Sequence, residues 1–110
     1  MKTNDLTGVA LDWAVAKCEG KNWGAVESFI AYHEDGDMNY STDWAQGGPI
    51  IEREYIELVG FCSSVIWEAV FPGRGEDAVV QYGPTPLIAA MRCYVASKLG
   101  NKVDVPPELT

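Results

Sequence analysis

The fold of this chain is decided by its clearest helical segment, Thr85-Pro-Leu-Ile-Ala-Ala-Met-Arg-Cys-Tyr-Val-Ala-Ser-Lys-Leu-Gly100. Thr85 is typical of a helix N-cap, Pro86 of the first helical position, and Gly100 of the residue that ends a helix. Between them, apolar residues occur almost all the way round the helix instead of along one stripe. A helix that is apolar on every side is normally buried, so we expect other elements to cover this one.

Upstream of this helix, the pattern predicts a second helix and a hairpin. The segment Asp5–Glu19 has helical periodicity, and Gly20 follows it where a left-handed residue is favoured. Residues 26–33 alternate in polarity and favour a strand. The turn Glu-Asp-Gly-Asp at 34–37 predicts a hairpin, because Asp-Gly accepts positive φ angles, and residues 38–40 would form the short return strand.

A dense stretch of special residues follows, Tyr40-Ser-Thr-Asp-Trp-Ala-Gln-Gly-Gly-Pro-Ile-Ile-Glu-Arg-Glu54. The hydroxyl residues at 41 and 42 can begin a helix with Asp43 in its first turn, where a carboxylate favours the helix dipole. Gly47-Gly-Pro49 would interrupt that helix with a kink or a restart, because proline is rarely tolerated in a helix interior. A strand at 50–59 is the alternative, since apolar and charged residues also alternate there.

The middle of the chain predicts short strands and a loop: strands at 56–61, 64–71 and 78–82, the first two antiparallel, and a polar loop at 72–77. Helices at both ends with about five short strands between them indicate an α+β fold. We expect a single domain over residues 1–110, a sandwich of helices on a small, mainly antiparallel sheet. The tail at 101–110 contains Pro106-Pro107 and is expected to be extended.

Composition limits the classes of partner. Sixteen acidic residues against eight basic ones give a formal net charge of −8, which disfavours nucleic-acid binding because phosphates must be neutralised by cations. No apolar run approaches the ~20 residues of a membrane span, and the N-terminus has no signal-peptide core. Three widely separated cysteines (18, 62 and 93) predict reduced, packed thiols in a cytoplasmic protein.

Arg92 is the first candidate for binding. It lies midway along an otherwise apolar helix, so its guanidinium needs a partner, and Asp12, Asp43 or Glu52 could supply a carboxylate. The structural interpretation is an ion pair in the core. The functional interpretation is an arginine that binds an anionic group in a pocket.

The second candidate is the group formed by Asp43, Trp44, Gln46, Gly47 and Gly48. Glycines let a backbone approach a ligand, an indole offers a stacking face, and a carboxamide gives directed hydrogen bonds. The alternative is a capped helix with a tight turn and its tryptophan packed in the core, which we favour for Trp44. The segment lacks the Lys-Ser/Thr that would define a phosphate loop.

The remaining candidates carry weaker signals. Glu52 with Glu54 could be an acid/base pair, although a solvated face is the favoured interpretation. The single histidine, His33, is expected to be exposed and incidental, and no local pattern favours a Ser-His-Asp or Cys-His catalytic group. Trp13 fits a core or interface role and could stack on a ring, whereas Trp23 is expected to be exposed. No catalytic residue, metal site or cofactor is predicted.

Three blocks of this sequence resemble the NinX-like family of small proteins from the accessory nin region of lambdoid phages and related prophages: Leu6-Thr-Gly-x-Ala-Leu-Asp-Trp-Ala-Val-Ala16, the stretch from Tyr40 to Glu54, and Gly83-Pro-Thr-Pro-Leu-Ile-Ala-Ala-Met-Arg-Cys-Tyr-Val-Ala-Ser-Lys-Leu-Gly100. The resemblance implies a phage or prophage gene expressed inside a bacterium, and no particular reaction. More distantly, residues 40–43 and 85–89 resemble a phage alpha-beta-alpha sandwich domain. That likeness implies a helical 43–54 region and helices covering an antiparallel sheet, although those relatives lack the Gly-Gly-Pro break.

The first functional hypothesis is therefore a non-enzymatic accessory protein that binds a host or phage protein in the bacterial cytoplasm, using residues 43–48. The alternative is a sponge for a small anionic ligand, such as a nucleotide or signalling metabolite, with Arg92 on the anion and Trp44 or Trp13 on a ring. A third, weaker hypothesis is a hydrolase or transferase that uses Asp43 or Glu52. A homodimer is possible, because small sheets often pair at their edges.

Overall fold

The computed structural model describes residues 1–21, 23–61, 65–71 and 78–110. Within them it contains the helices α1 (Gly8–Cys18), α2 (Val26–Glu34), α3 (Trp44–Glu54) and α4 (Pro86–Leu99), and the strands β1 (Glu57–Gly60), β2 (Trp67–Phe71) and β3 (Val79–Gly83). Short 3-10 helices occupy Thr3–Asp5 and Pro107–Leu109. The chain is thus an α+β fold, as its sequence pattern predicts.

The sheet is antiparallel with strand order β1-β2-β3. Gly60 lies opposite Trp67 at one end of the first pair, and Trp67 in turn lies opposite Gly83. The antiparallel pair predicted at 56–61 and 64–71 is therefore confirmed over residues 57–60 and 67–71, and the strand predicted at 78–82 is found at 79–83. The loop predicted at 72–77 lies outside the described residues.

Helix α4 is the centre of the molecule. It contacts all three strands on one side and α1 and α3 elsewhere around its circumference. The predicted N-cap is confirmed, because the Thr85 hydroxyl accepts the backbone N–H of Ile88 at 3.1 Å, and Gly100 ends the helix with φ +84°. Eight of its residues are buried: Leu87, Ala89, Ala90, Met91, Cys93, Tyr94, Val95 and Ala96. This helix, which is apolar almost all the way round, is therefore buried as its sequence predicts.

The prediction of a strand at 26–33 and a hairpin after it is wrong. Residues 26–34 form α2, in which Val26, Phe29, Ile30 and His33 recur at helical spacing and Phe29 is completely buried. A period of 3.6 residues therefore describes this segment better than a period of 2. Residues 38–40 form no return strand, and Gly36 uses its positive φ of 95° in the turn that ends the helix.

Helix α3 also differs from its prediction. Residues 41 and 42 lie in a turn, Asp43 is the N-cap, and the helix runs from Trp44 to Glu54 through Pro49 without a restart. Pro49 cannot donate a hydrogen bond to Ala45, which lies in the first turn, so a single early bond is lost. The alternative strand at 50–59 is wrong for residues 50–54, and only 57–60 are extended.

The two ends of the chain lie side by side. The terminal amino group of Met1 donates to the Val103 carbonyl at 3.0 Å, and the Thr3 hydroxyl donates to the Gly100 carbonyl at 2.6 Å. The tail is extended up to Pro106 and then turns into the 3-10 helix, where Leu109 is buried. In the described ranges no helix has the length and hydrophobicity needed to cross a bilayer.

Candidate functional site

The structure distributes the predicted binding residues over several places and does not bring them to one site. Trp44 and Glu52 are exposed, Asp43, Gln46, Gly48 and Arg92 are half-buried, and Trp13 and Gly47 are buried. Each must therefore be judged by its own contacts.

Arg92 bonds backbone carbonyls instead of a carboxylate. Its Nε donates to the Leu6 carbonyl and its Nη1 to the Tyr82 carbonyl, each at 2.7 Å. Burial lowers the pKa of the guanidinium, and the nearby Asp5 carboxylate opposes that shift. The expected ion pair with Asp12, Asp43 or Glu52 is wrong. Arg92 instead joins α4 to the N-terminal segment and to β3.

Asp43 and Gln46 organise the turn before α3. One Asp43 carboxylate oxygen accepts the Ala45 N–H at 2.9 Å, and the other accepts the Gln46 amide at 2.9 Å. The same Gln46 amide donates to the Gly36 carbonyl at 2.7 Å, while its oxygen accepts the Asn39 N–H at 2.7 Å. Both N–H groups of the carboxamide are engaged, so Gln46 ties residues 36–43 to the start of the helix.

Gly47 and Gly48 have different surroundings although they are adjacent. A Cβ at Gly47 would overlap the Tyr40 carbonyl oxygen and lie 2.6 Å from Leu87 Cδ1, so the glycine lets α3 approach its neighbours. At Gly48 the nearest atom to such a Cβ is Trp44 Cε3 at 3.9 Å. The first glycine is required by packing and the second is not.

Trp44 is on the surface, so its expected place in the core is wrong. Its side chain is 53% exposed at the first position of α3. It forms one wall of a surface cavity of about 240 Å³, together with Thr42, Pro86 and Ile88. Trp13, by contrast, is buried and makes an edge contact with Trp23 at a centroid distance of 6.3 Å. Trp23 is half-buried, not exposed as expected.

Glu52 is exposed on α3 and lines a separate depression with Pro49, Arg53 and Tyr55. The adjacent Tyr55 is 82% exposed and ends the helix in the left-handed conformation, φ 57°. Glu54 is drawn into a contact with Arg53 at 2.8 Å and is not paired with Glu52 as an acid/base couple.

His33 is not incidental. Its Nε2 lies 2.7 Å from a carboxylate oxygen of Asp12, which is 1% exposed, and the other Asp12 oxygen accepts the Ser41 N–H at 2.8 Å. Ser41 Oγ is buried without a hydrogen-bond partner, so no bond joins it to the imidazole as a catalytic triad requires. The arrangement secures α2 and the following turn to α1.

A groove that sequence reasoning missed lies beside this cluster. It has a volume of about 540 Å³ and is lined by Lys21, Trp23, Tyr32, Asp37, Met38, Tyr40 and Gln46. The lining comes from the loop after α1, from α2, from the turn before α3 and from the first turn of α3, so it depends on residues 26–34 being helical. The spacing of Phe29 and His33 is the signal that could have revealed it.

Arg53 joins three elements in a polar cluster. It donates to both oxygens of Glu19 at 2.7 and 3.1 Å and to the Tyr94 hydroxyl at 3.2 Å. The Arg53 hydrogen bonds lower the pKa of the Glu19 carboxyl, burial opposes this, and the bond from Tyr94 adds to it. The ends of α1 and α3 are therefore held to α4 by a charged group.

Glu19→Gln is expected to weaken the fold in a pH-dependent way. Because the folded pKa lies below the ordinary value of 4.5, ionised Glu19 stabilises the protein above that pH and loses its contribution as the pH falls through the folded pKa. At about pH 7 the free energy of unfolding of the variant should be about 1 kcal/mol lower than that of the wild type. The loss is small because Arg53 is half exposed and its charge is screened by solvent. Thermal unfolding at about pH 7 and about pH 3 tests this, with Glu52→Gln as control. A difference from the wild type that widens at low pH would contradict it.

The described cysteines are packed thiols. Cys93 is completely buried and its sulfur bonds the Val79 carbonyl at 3.3 Å, while burial raises the pKa of Cys93 to about 12 and that of Cys18 to about 11. Both are free, and Cys62 lies outside the described residues. In the part of the chain that the structure describes, no group of three or more His, Cys, Asp or Glu is arranged to hold a metal ion.

Comparison with known proteins identifies the family. The family model described as "Bacteriophage P22, NinX" matches residues 2–98, which include α1, α2, α3, the whole described sheet and all of α4 except Leu99. No curated protein matches the chain. Because the match covers most of the sequence, this chain belongs to the phage NinX family.

Proposed function

We propose that this phage protein is a non-enzymatic accessory module that binds a host or phage protein in the bacterial cytoplasm, with Trp44 as its anchor. The observation that carries the proposal is the exposure of the Trp44 side chain, 53%, on the wall of a surface cavity. Tryptophan is among the residues that contribute most to protein interfaces when it enters a partner's pocket.

The position of Trp44 is suited to recognition. Asp43 caps the helix directly before it, and Gln46 fixes the preceding turn through three hydrogen bonds. A side chain held on a rigid helix end loses little conformational entropy when it binds. The neighbouring Pro86 and Ile88 extend the apolar surface of the cavity.

Net charge favours a basic partner. The chain carries 16 acidic and eight basic residues, a formal net charge of −8. Such an imbalance speeds association with a positively charged protein surface and disfavours nucleic acid. The family membership supports a phage-encoded protein that acts inside the infected cell.

The alternative functions receive less support from the geometry. A sponge for an anion would need Arg92 in a pocket with Gln46, but its guanidinium bonds two backbone carbonyls and it does not line the groove at Gln46. A hydrolase or transferase that uses Asp43 would need a free carboxylate, and both oxygens of Asp43 are engaged in capping.

The test is affinity purification of the tagged protein from phage-infected bacteria, with Trp44→Ala beside the wild type. Tyr55→Ala is the matched control, because Tyr55 is an even more exposed aromatic residue at the opposite end of α3. We expect one protein to be retained by the wild type and by Tyr55→Ala, and its affinity to fall about 30-fold in Trp44→Ala, as for an interface hot spot.

The captured protein is then purified and mixed with each variant to measure its Kd. Trp44→Ala should unfold at the same temperature as the wild type, since the removed side chain is on the surface. A partner that binds Trp44→Ala and the wild type equally, or the absence of any partner at equal protein yield, would overturn the proposal.

A further inference from the structure

We propose that the groove lined by Lys21, Trp23, Tyr32, Asp37, Met38, Tyr40 and Gln46 binds an organic cation, the ammonium or guanidinium group of a lysine or arginine side chain on the protein partner. The identity of the occupant as a protein side chain rests on the proposed function. The preference of the groove for a cation rests on its own lining.

Three of the seven residues in the described lining are aromatic. Trp23, Tyr32 and Tyr40 come from three different segments and meet around one cavity of about 540 Å³. Tyr32 is 48% exposed, while Trp23 is half-buried and fixed by contacts with Trp13 and Phe29. Aromatic faces gathered round a cavity attract organic cations through their ring electrons.

Tyr40 contributes a hydroxyl-bearing ring to this cavity. The residue as a whole is 7% exposed and lines the groove. A phenol oxygen can accept a hydrogen bond from a ligand with N–H donors, and an ammonium or guanidinium group provides such donors.

The charges that act on this hydroxyl are negative. Burial, together with the carboxylates of Glu19, Asp12 and Asp37, raises the pKa of Tyr40 to about 12. The phenol is therefore neutral at physiological pH and lies in a negative potential. That potential favours a cation over an anion at the same place.

Lys21 is the one cationic residue in the described lining, and it provides a discriminating test. Its charge lowers the pKa of Glu19, so it lies within electrostatic reach of that carboxylate. If the groove binds a cation, removing the ammonium in Lys21→Gln should strengthen binding. If the groove binds an anion, the same change should weaken it.

The groove and the cavity at Trp44 are both lined by residues from the turn before α3 and from the start of α3, and the groove is held in shape by hydrogen bonds within the chain. Gln46 lines it and bonds Asp43, the residue before Trp44. Asn39 donates to the carbonyls of His33 and Asp37 at 3.1 and 2.9 Å, which fixes the turn that carries Asp37 and Met38. One partner surface can therefore contact both Trp44 and the groove.

The experiment is an NMR titration of the isolated protein with n-butylguanidinium, followed at the indole N–H of Trp23. That signal is assigned by its loss in Trp23→Phe. The matched probes are n-butanol, which is neutral, and butyrate, which is an anion of similar length. We expect saturable shifts with n-butylguanidinium, with a Kd on the order of 1–10 mM, and none that saturate with butyrate.

Variants locate the site. Asp37→Asn should lower the affinity for n-butylguanidinium about fivefold. Asp35→Asn, in the same turn but outside the lining, should change this affinity less than about twofold. Lys21→Gln should raise the affinity about twofold. Tyr40→Phe keeps the ring and removes the hydroxyl, so binding should fall about threefold while the thermal stability is maintained.

Equal shifts with all three probes, stronger binding of butyrate, or weaker binding in Lys21→Gln would overturn the preference for a cation. The titration contains no partner, so its result is independent of the Trp44 capture experiment. If the captured partner loses affinity in Trp44→Ala but binds Asp37→Asn like the wild type, the proposed function stands and the location of its basic side chain in this groove is wrong.

Discussion

Replacing Gly47 by alanine is expected to destabilise the fold by about 3 kcal/mol. The added Cβ would overlap the Tyr40 carbonyl oxygen and lie 2.6 Å from Leu87 Cδ1. Leu87 is a core residue at the start of α4, and the carbonyl belongs to the backbone, so neither can yield cheaply. The helical preference of alanine over glycine, about 1 kcal/mol, offsets only part of the cost.

Gly48→Ala is the matched control for this change. It makes the same chemical substitution in the same helix, but its nearest neighbour is Trp44 Cε3 at an ordinary contact distance of 3.9 Å. We expect it to stabilise the protein by about 0.5–1 kcal/mol, because alanine loses less backbone entropy in a helix. Urea unfolding of the two variants measures the difference. Equal stabilities would contradict the close approach of α3 to α4.

Replacing Asp12 by alanine is expected to lower the free energy of unfolding by about 3 kcal/mol. The change removes the acceptors for the Ser41 N–H at 2.8 Å and for His33 Nε2 at 2.7 Å, in a place where the carboxylate is 1% exposed. The buried Ser41 N–H would be left without a partner, and α2 would lose its polar link to α1. Urea unfolding at neutral pH measures this loss.

Asp12→Asn separates shape from charge. The asparagine amide keeps an acceptor for the Ser41 N–H and has nearly the same volume as the carboxylate. We therefore expect the free energy of unfolding to fall by about 1 kcal/mol less in Asp12→Asn than in Asp12→Ala. Replacement of Asp5, which is exposed on the N-terminal segment, serves as a control and should be nearly neutral. An Asp12→Ala variant as stable as the Asp5 control would show that the link between α1, α2 and the turn at Ser41 is unimportant.

The elements that the sequence predicts well are those in which local signals agree. Helix α4 has its cap at Thr85, its proline at the first position and an apolar circumference, and each of these features is found in the structure. The three strands are short apolar stretches separated by polar ones, and they pair in chain order. In both cases the local preference and the burial point to the same structure.

The 26–34 segment shows why local reading fails elsewhere. Its apolar residues fit a strand loosely and a helix well, and the Asp-Gly sequence that follows suggests a hairpin. Gly36 does adopt a positive φ, but in a turn that ends α2. The same backbone angle serves both structures, so the turn residue alone could not distinguish them.

The candidate binding surface is predictable only in part for the same reason. The sequence names Trp44 as a candidate and favours the core for its side chain, but its exposure depends on how α3 lies against the start of α4, which no local pattern encodes. The partners of Arg92 are backbone carbonyls of Leu6 and Tyr82, and these cannot be read from side-chain composition. The groove at Tyr40 combines residues from three segments and requires α2 to be a helix.

The most direct test of the central claim, recognition of a protein through Trp44, is photo-crosslinking inside infected bacteria. A benzophenone amino acid replaces Trp44 in one variant and the exposed Tyr55, at the far end of α3, in another. We expect one discrete protein adduct from position 44 that is competed away by excess wild-type protein, and none from position 55. No adduct at position 44, or the same adducts from both positions, would contradict it.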